Sequence, residues 1–341
     1  MQISSAQFLE WAREAYNAWD VDCPDYIAID TETEGVAFYD KPFCVTVSWV
    51  EGTSGDGNVV SYYLELGIPE VEEVVKALLT TKNLVFHNAK FDLQKLGLLG
   101  LLDLDSLDPE HVWDTECLYH LLDEHGVKRL KVLARDILGE ETDEDEVLKV
   151  ERRKHKLRKA DGYQSLPREV LVPYALKDAE FTIRLFWKLQ RRVLDNPDLR
   201  RLLRLEQRLT FTLLRMETRG MGLDLGYVED VCKDYARRSM AQELLIRDIT
   251  NEEEFNPNSP KQIAEFFASH GITLPGTDKA TLRHTEHPLA EAILELRSLR
   301  KIHGTYLKPM MEEQRNGIIH PSFRQHGTRT GRMSSGGHQA D

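Results

Sequence analysis

The sequence lacks the features that would place it in several common classes of protein. Its 341 residues contain no apolar run long enough to span a bilayer and no basic-then-apolar leader, so we expect a cytoplasmic protein. It has no internal repeat and no low-complexity tract. Hydrophobic residues make up 41% of the chain, which is ample for a core, and the length predicts about two domains.

Cysteine is scarce. The four cysteines are widely separated and form no C-x-x-C pair; they are Cys23, Cys44, Cys117 and Cys232. Structural zinc sites and disulfide frameworks usually show closely spaced or paired cysteines. The spacing therefore favours reduced thiols, not a zinc site or a disulfide scaffold.

Four carboxylates occupy three short motifs in the first 180 residues. The motifs are I-D-T-E-T at 29–33, H-N-A-K-F-D at 87–92 and Y-A-L-K-D at 174–178, and they contribute Asp30, Glu32, Asp92 and Asp178. Carboxylate oxygens are the ligands that Mg²⁺ and Mn²⁺ prefer. Phosphodiester hydrolysis with two such cations requires a cluster of this kind. Together, the three motifs indicate a metal-dependent nuclease.

The spacing within each motif suits this interpretation. Asp30 and Glu32 end a predicted buried strand, and residues two apart on a strand share a face, with Thr31 directed away. Asn88 is expected to cap a helix on which Asp92 lies one turn later. Tyr174 and Asp178 repeat this four-residue relation on another helix, where the phenol can orient an attacking water.

Each motif alone has an ordinary structural explanation. Asp30 can end a strand, Asn88 can be a plain helix cap, and a tyrosine four residues before an aspartate is common on helices. The order of the three motifs, each in the secondary structure that the chemistry needs, favours the nuclease over coincidence.

These motifs make the first 195 residues similar to the 3′–5′ exonuclease domain of family A DNA polymerases, the bacterial DNA polymerase I group and its phage relatives. W-D-T at 113–115 and L-K-V-L-A-R-D-I-L-G at 130–139 extend the resemblance. It implies a ribonuclease H-like α/β fold, with a mixed sheet flanked by helices, in a bacterial or phage-infected cell.

The resemblance also implies roles for single residues. Asp30, Glu32 and Asp178 would bind the tighter of two Mg²⁺ or Mn²⁺ ions. Asp30 and Asp92 would serve the second ion, Asp92 directly or through water. Tyr174 would position the nucleophilic water. The terminal nucleotide would be held by a further set, namely Asn88, Phe91 and the backbone near Thr31 and Thr33.

The second half, 196–341, resembles the helical start of the polymerase domain in the same family. The matching strings are L-L-R-M-E-T-R-G-M-G-L-D at 213–224, F-N-P-N-S-P-K-Q-I at 255–263, 287–306, and G-T-R-T-G-R-M-S-S at 327–335. The last would meet primer–template DNA, with Arg329 and Arg332 on phosphates. The family's palm and fingers follow this string, so we expect either a polymerase divided between two chains or a shortened one.

Two other functions stay open. The chain can be a DNA-binding scaffold for a separate polymerase chain, although the four carboxylates and Tyr174 argue against a domain without activity. It can also be a 3′–5′ exoribonuclease, since such enzymes share the three motifs. The polymerase-like segment at 213–335 favours DNA.

The net charge of −13 is unusual for a protein that binds nucleic acid, but local patches matter more than the total. Six acids lie in 140–146 and six bases in 152–159. We expect a mobile loop or helical hairpin there. It is either a solvated charged excursion or a basic lip that guides a single-stranded 3′ end.

Hydrophobic periodicity predicts the order of elements. A helix is expected at 4–20, an antiparallel meander at 25–31, 43–50 and 58–64, a helix at 69–80, a strand at 83–87, a helix at 89–98, a strand at 111–114 and a long helix at 168–194. Long amphipathic helices are expected at 199–219, 225–250 and 287–315.

Overall fold

The computed structural model describes residues 25–52, 55, 57–81, 83–157 and 161–336. The helix expected at 4–20 and Cys23 lie outside these residues. Three cysteines within them, Cys44, Cys117 and Cys232, carry free thiols. No helix in the described part of the chain combines the length and the apolar character needed to cross a membrane.

A five-stranded mixed sheet forms the centre of the first of two compact units. Its strands are β1 (Tyr26–Thr33), β2 (Pro42–Val50), β3 (Val59–Glu65), β4 (Asn83–Phe86) and β5 (Val112–Asp114). They lie in the order β3-β2-β1-β4-β5, with β1, β2 and β3 antiparallel and with β4 and β5 parallel to β1. The predicted meander and the ribonuclease H-like α/β class are confirmed.

Helices cover both faces of this sheet. They are α1 (Pro69–Thr81), α2 (Ala89–Leu98), α3 (Thr115–Leu122), α4 (Leu130–Leu133), α5 (Asp143–Lys154), α6 (Arg168–Leu194) and α7 (Pro197–Arg219). One core packs α1, α2 and α7 on the sheet, and a second packs α3, α4 and α6 on the opposite face. The long helix expected at 168–194 is confirmed.

Strand β1 contributes side chains to both cores. Ile27 and Ile29 belong to the core under α1 and α2, whereas Ala28 belongs to the core under α6. Successive side chains of a strand point to opposite faces. The regular pairing of β1 with β2 extends through Glu32, so Asp30 and Glu32 continue on the α6 side of the sheet.

The charged segment after residue 140 is more ordered than expected from its composition. Its described residues form the single helix α5, and Leu148 from this helix is buried. Helix α5 packs beside α6. The burial of Leu148 explains why the described residues of this segment form a helix and not the mobile loop or helical hairpin that the charge pattern suggested.

The second compact unit comprises 220–319. Its elements are β6 (Met221–Gly222), α8 (Leu225–Thr250), α9 (Pro260–Ser269), α10 (Lys279–Arg283), α11 (Pro288–Ile302), α12 (Lys308–Glu313) and β7 (Ile318–Ile319). A π-helical turn at His303–Leu307 interrupts the helix expected over 287–315. Its core joins α8, α9, α10 and α11.

The compact units divide the chain at a different place from the boundary expected between 195 and 196. Helix α7 groups with the first unit, as does the segment from His320 onward. In that segment β8 (Ser322–Arg324) pairs with β9 (Ser334–Gly336) as an antiparallel hairpin.

A buried ion pair holds this hairpin in the first unit. Glu217 on α7 is 2% exposed, and its carboxylate accepts hydrogen bonds from the Lys90 ammonium and from the Phe323 backbone N–H. Lys90 also donates to the Phe323 carbonyl. A buried charge needs such partners, because an unpaired one is costly to withdraw from water.

Glu217→Ala is expected to lower the free energy of unfolding by about 3 kcal/mol, because it removes the carboxylate that pairs with the largely buried Lys90 ammonium, which keeps its bond to the Phe323 carbonyl. The control is Arg215→Ala on the same helix. Arg215 pairs with Asp105 at 3.0 Å, but both side chains are more than half exposed, so its loss should cost less than about 1 kcal/mol. Chemical denaturation of both variants measures the difference. Equal losses of unfolding free energy in the two variants would show that the buried Glu217–Lys90 pair contributes no more stability than an exposed ion pair.

Candidate active site

Three of the four predicted carboxylates meet at one place in the first unit. Oxygen atoms of Asp30, Glu32 and Asp178 all lie within 4.8 Å of one another. Asp30 and Glu32 arrive from the α6 side of β1, and Asp178 comes from α6 itself, which packs on that face. The alternation of the strand and the docking of one helix therefore build the cluster.

Asp92 reaches the same region from the other side of the sheet. Its Oδ1 accepts hydrogen bonds from the Thr31 backbone N–H at 3.0 Å and from the Thr31 hydroxyl at 2.7 Å. Thr31 points away from Asp30 and Glu32, as the strand period predicts, and its side chain is turned to α2. Asp92 is 3% exposed, so these two bonds fix the direction of its carboxylate.

The electrostatics of the cluster are those of crowded anions. Burial raises the pKa of Asp30 well above its usual range, and Asp92, Glu32 and Asp178 raise it further. Burial and then Asp178 raise the pKa of Glu32 in the same way. Burial raises the pKa of Asp92 to about 7, although the hydrogen bonds from Thr31 oppose the shift. Among the neighbouring charges Asp92 acts most strongly on Asp30, so these two carboxylates lie within electrostatic reach.

Tyr174 lies one helical turn before Asp178 on α6. Burial and the carboxylates of Asp178 and Glu32 raise its pKa well above the usual range, so the phenol keeps its proton at neutral pH. Its ring meets that of Tyr163 edge to face, with the centroids 5.8 Å apart. A protonated hydroxyl at this place can orient a water molecule.

Lys131 lies outside the three carboxylate motifs, and the structure places it at the cluster. Its ammonium forms an ion pair with Asp178 and lies 4.3 Å from the centre of the Tyr174 ring. Lys131 is the second residue of the short helix α4, and a lone charge among its leucines and valine is the signal that the sequence offers.

Asn88 occupies the predicted cap position before α2 but does not cap the helix through its side chain. It adopts a left-handed conformation with φ 69°, which asparagine tolerates better than most residues. The Asp114 carboxylate instead accepts from the backbone N–H groups of Asn88 and Ala89 at 3.0 and 2.8 Å. The capping expectation was wrong because an acid from β5 takes the role.

Hydrogen bonds from a buried lysine of α2, Lys95, connect this helix to the loop after β1. Lys95 is fully buried and donates to the carbonyls of Ala37 and Phe38. In this turn the Thr33 hydroxyl donates to the Gly35 carbonyl at 2.6 Å. The strand with Asp30 and the helix with Asp92 are therefore cross-linked beyond the cluster.

A cleft of about 540 Å³ lies within the first unit and is lined by sequence neighbours of the candidate site. Asn88, Phe91 and Tyr163 line it on the side of the candidate site, and Gln325 and His326 line it on the side of the β8–β9 hairpin. Phe91 directly precedes Asp92 on α2, and the Tyr163 ring meets that of Tyr174. The cleft therefore presents an aromatic and polar surface next to two residues of the candidate site, although no carboxylate of the cluster is among the lining residues that the structure describes.

The structure does not bring Arg329 and Arg332 to this cleft. Both are exposed on the turn that joins β8 to β9, and neither is among its described lining residues. The Thr328 hydroxyl donates to the Arg332 carbonyl at 2.6 Å, which closes the turn. The string at 327–335 therefore belongs to a hairpin.

The carboxylate cluster fits a divalent cation. It offers hard oxygen donors from three side chains in contact range, and the raised pKa values of Asp30 and Glu32 show that their ionised forms lack sufficient compensation. A bound cation would supply that compensation.

Comparison with protein families yields two matches. Residues 3–194 match the model of a 3′–5′ exonuclease, and residues 226–337 match that of DNA polymerase family A. DNA polymerase DpoZ of Vibrio phage phiVC8 is 29% identical in an alignment of 374 positions, gaps included, that covers 96% of this chain and 57% of the relative. The DNA polymerase of Escherichia phage T5 is 30% identical over 283 residues, which span 74% of this chain and 33% of the relative.

A solved structure shares the fold. The POL domain of Pol1 from M. smegmatis, in complex with DNA primer-template and dNTP, superimposes with a TM-score of 0.65 at 19% identity, over 98% of this chain and 54% of that one. The chain thus spans about half or less of the length of the two phage relatives and of this structure. On the family match over 3–194, the chain belongs to the family A DNA polymerases and contains their 3′–5′ exonuclease domain.

Proposed function

We propose that this chain removes 5′-mononucleotides from the 3′ ends of DNA by hydrolysis with two divalent cations, as the proofreading part of a family A polymerase. The observation that carries the proposal is the cluster of Asp30, Glu32 and Asp178, with oxygens within 4.8 Å, one helical turn from Tyr174. Bound Mg²⁺ or Mn²⁺ would supply an activated water and stabilise charge on the leaving oxygen.

The residues around the cluster have separate tasks in this proposal. Asp30, Glu32 and Asp178 would hold the first cation. Asp92, fixed by Thr31, would serve a second together with Asp30. The protonated Tyr174 hydroxyl orients the attacking water.

The cleft lined by Asn88 and Phe91 would receive the terminal nucleotide. Phe91 offers an aromatic face to the base, and Asn88 offers an amide to the sugar or the phosphate. A paired end must lose stacking and base pairing before its last nucleotide can enter. We therefore expect unpaired ends to be cut faster than matched ones.

Digestion of 5′-labelled DNA with Mg²⁺ tests the proposal. We expect a ladder of fragments shortened one nucleotide at a time from the 3′ end, fastest for single strands, slower for a mismatched primer end and slowest for a matched duplex. EDTA should abolish the ladder. DNA binding without metal-dependent cleavage would support a scaffold instead, and equal or faster digestion of the matching RNA strand would support an exoribonuclease.

Binding of primer–template DNA is a separate proposal. The M. smegmatis protein was solved with primer-template and dNTP. By analogy this chain would meet primer–template DNA, with Arg329 and Arg332 on phosphates. Binding of a primer–template duplex by the native protein and by a variant with both arginines changed to alanine tests it. Equal binding by the two proteins contradicts it.

A further inference from the structure

Lys131 is a cation built into the carboxylate cluster. It lies on α4, and its side chain is 16% exposed, while that of its partner Asp178 is 11% exposed. The ammonium is 4.3 Å from the Tyr174 ring centre and 5.2 Å from that of Phe181. Two aromatic faces and one carboxylate therefore hold its charge at a defined place.

The charge of Lys131 acts on more than its direct partner. It lowers the pKa of both Asp30 and Glu32, against the burial and the mutual repulsion that raise them. Several buried anions are unfavourable together unless a cation compensates them. A divalent ion can supply that charge, and so can an ammonium on a flexible stem.

We propose that Lys131 is a resident counter-cation of the cluster: it neutralises Asp178 when no divalent ion is bound, and it competes with that ion for the same carboxylate. The inference rests on the proposed metal site. Lys131 is a positioning residue in this account. It keeps the metal-free cluster folded, and it sets the metal concentration at which the site fills.

The proposal predicts effects of opposite sign on stability and on metal binding. Lys131→Met keeps the length of the stem and its contact with Tyr174 but removes the charge. In EDTA we expect its melting temperature to fall by about 5 °C, because the Asp178 carboxylate loses its partner. With saturating Mn²⁺ the gap to the native protein should close. The Kd for Mn²⁺ should fall at least about threefold, because the competing charge is gone.

Two control variants separate charge from packing. Lys131→Arg keeps the charge and should remain near the native protein in both conditions. Lys177→Met removes a lysine next to Asp178 in the sequence, one that also lies over the Phe181 ring, at 5.4 Å, but pairs with Glu180 at 3.2 Å. It should change neither the melting temperature in EDTA nor the Kd for Mn²⁺ appreciably.

Melting curves in EDTA and in rising Mn²⁺, with titration calorimetry, give both readouts. A Lys131→Met protein that binds Mn²⁺ more weakly, or whose melting temperature differs from the native value equally with and without Mn²⁺, overturns the proposal. If Lys131→Met does not fold, Lys131→Met with Asp178→Asn should fold, since the amide needs no counter-charge. Failure of that double variant also overturns it.

The experiment separates this inference from the proposed function. If the native protein binds no Mn²⁺ and cuts no DNA, the metal site fails. The EDTA measurements still decide whether Lys131 offsets the carboxylates. If the native protein binds Mn²⁺ and the Lys131→Met Kd is unchanged, only the competition fails, and the proposal is overturned on its own.

Discussion

Replacing both Asp30 and Glu32 with alanine is expected to reduce DNA cleavage by more than about a thousandfold. The pair supplies two of the three carboxylates whose oxygens lie within 4.8 Å, so Asp178 would be the only member of that group left, with Asp92 outside it. Binding of Mn²⁺, measured by calorimetry, should disappear together with the activity.

This double variant should still fold, and the direction of its change in stability follows from the pKa shifts of the two acids. The folded-state pKa of each group is raised, so its ionised form costs free energy in the folded protein at neutral pH. Removing both groups should leave the melting temperature in EDTA unchanged or higher. Glu34→Ala, at the exposed acid that follows the same strand, is the matched control and should keep full activity. Near-normal, metal-dependent cleavage by the double variant would refute the assignment of the site.

Tyr174→Phe is expected to lower the rate of cleavage by about ten- to a thousandfold and to leave the Kd for Mn²⁺ nearly unchanged. The variant keeps the ring against Tyr163 and Lys131 and removes only the hydroxyl that would orient water. Single-turnover cleavage at saturating Mn²⁺ measures the loss, because metal occupancy then does not limit the rate.

Asp178→Asn should raise the Kd for Mn²⁺, unlike Tyr174→Phe, because a neutral amide replaces an anionic ligand. Tyr119→Phe removes a hydroxyl on α3 that donates to Asp123, and it should have little effect on either quantity. Equal loss of Mn²⁺ affinity in the Tyr174 and Asp178 variants would mean that the tyrosine has a structural role.

The elements of the first unit follow from local sequence to a large extent. The strand over 26–33 and the helix over 168–194 have hydrophobic periods that only one secondary structure satisfies, and both were predicted close to their observed bounds. Helix α5 was not predicted, because Leu148 is buried only when α5 packs beside α6, and a tertiary contact cannot be deduced from the composition of the segment.

The candidate site is partly encoded in spacing. The strand period predicts that Asp30 and Glu32 share a face, and the structure shows that α6 covers that face. Spacing does not predict Lys131, whose relation to Asp178 depends on how α4 packs beside α6. Nor does it predict that Asp114 caps α2, because that bond joins two elements far apart in the chain. The assignment of roles to these side chains stays a prediction until the variants are measured.

The alternation of β1 has a consequence for which changes in length the chain tolerates. One residue inserted between Ala28 and Asp30 would rotate both acids into the apolar core that holds Ile27 and Ile29, and would bring Thr31 to the α6 face. The bulge between Glu32 and Thr33 lies just beyond the acids and absorbs irregularity without moving them. Insertions should therefore be excluded before Glu32 and accepted beside Gly52, which follows β2 and at which an added Cβ would meet no neighbouring atom within 4 Å.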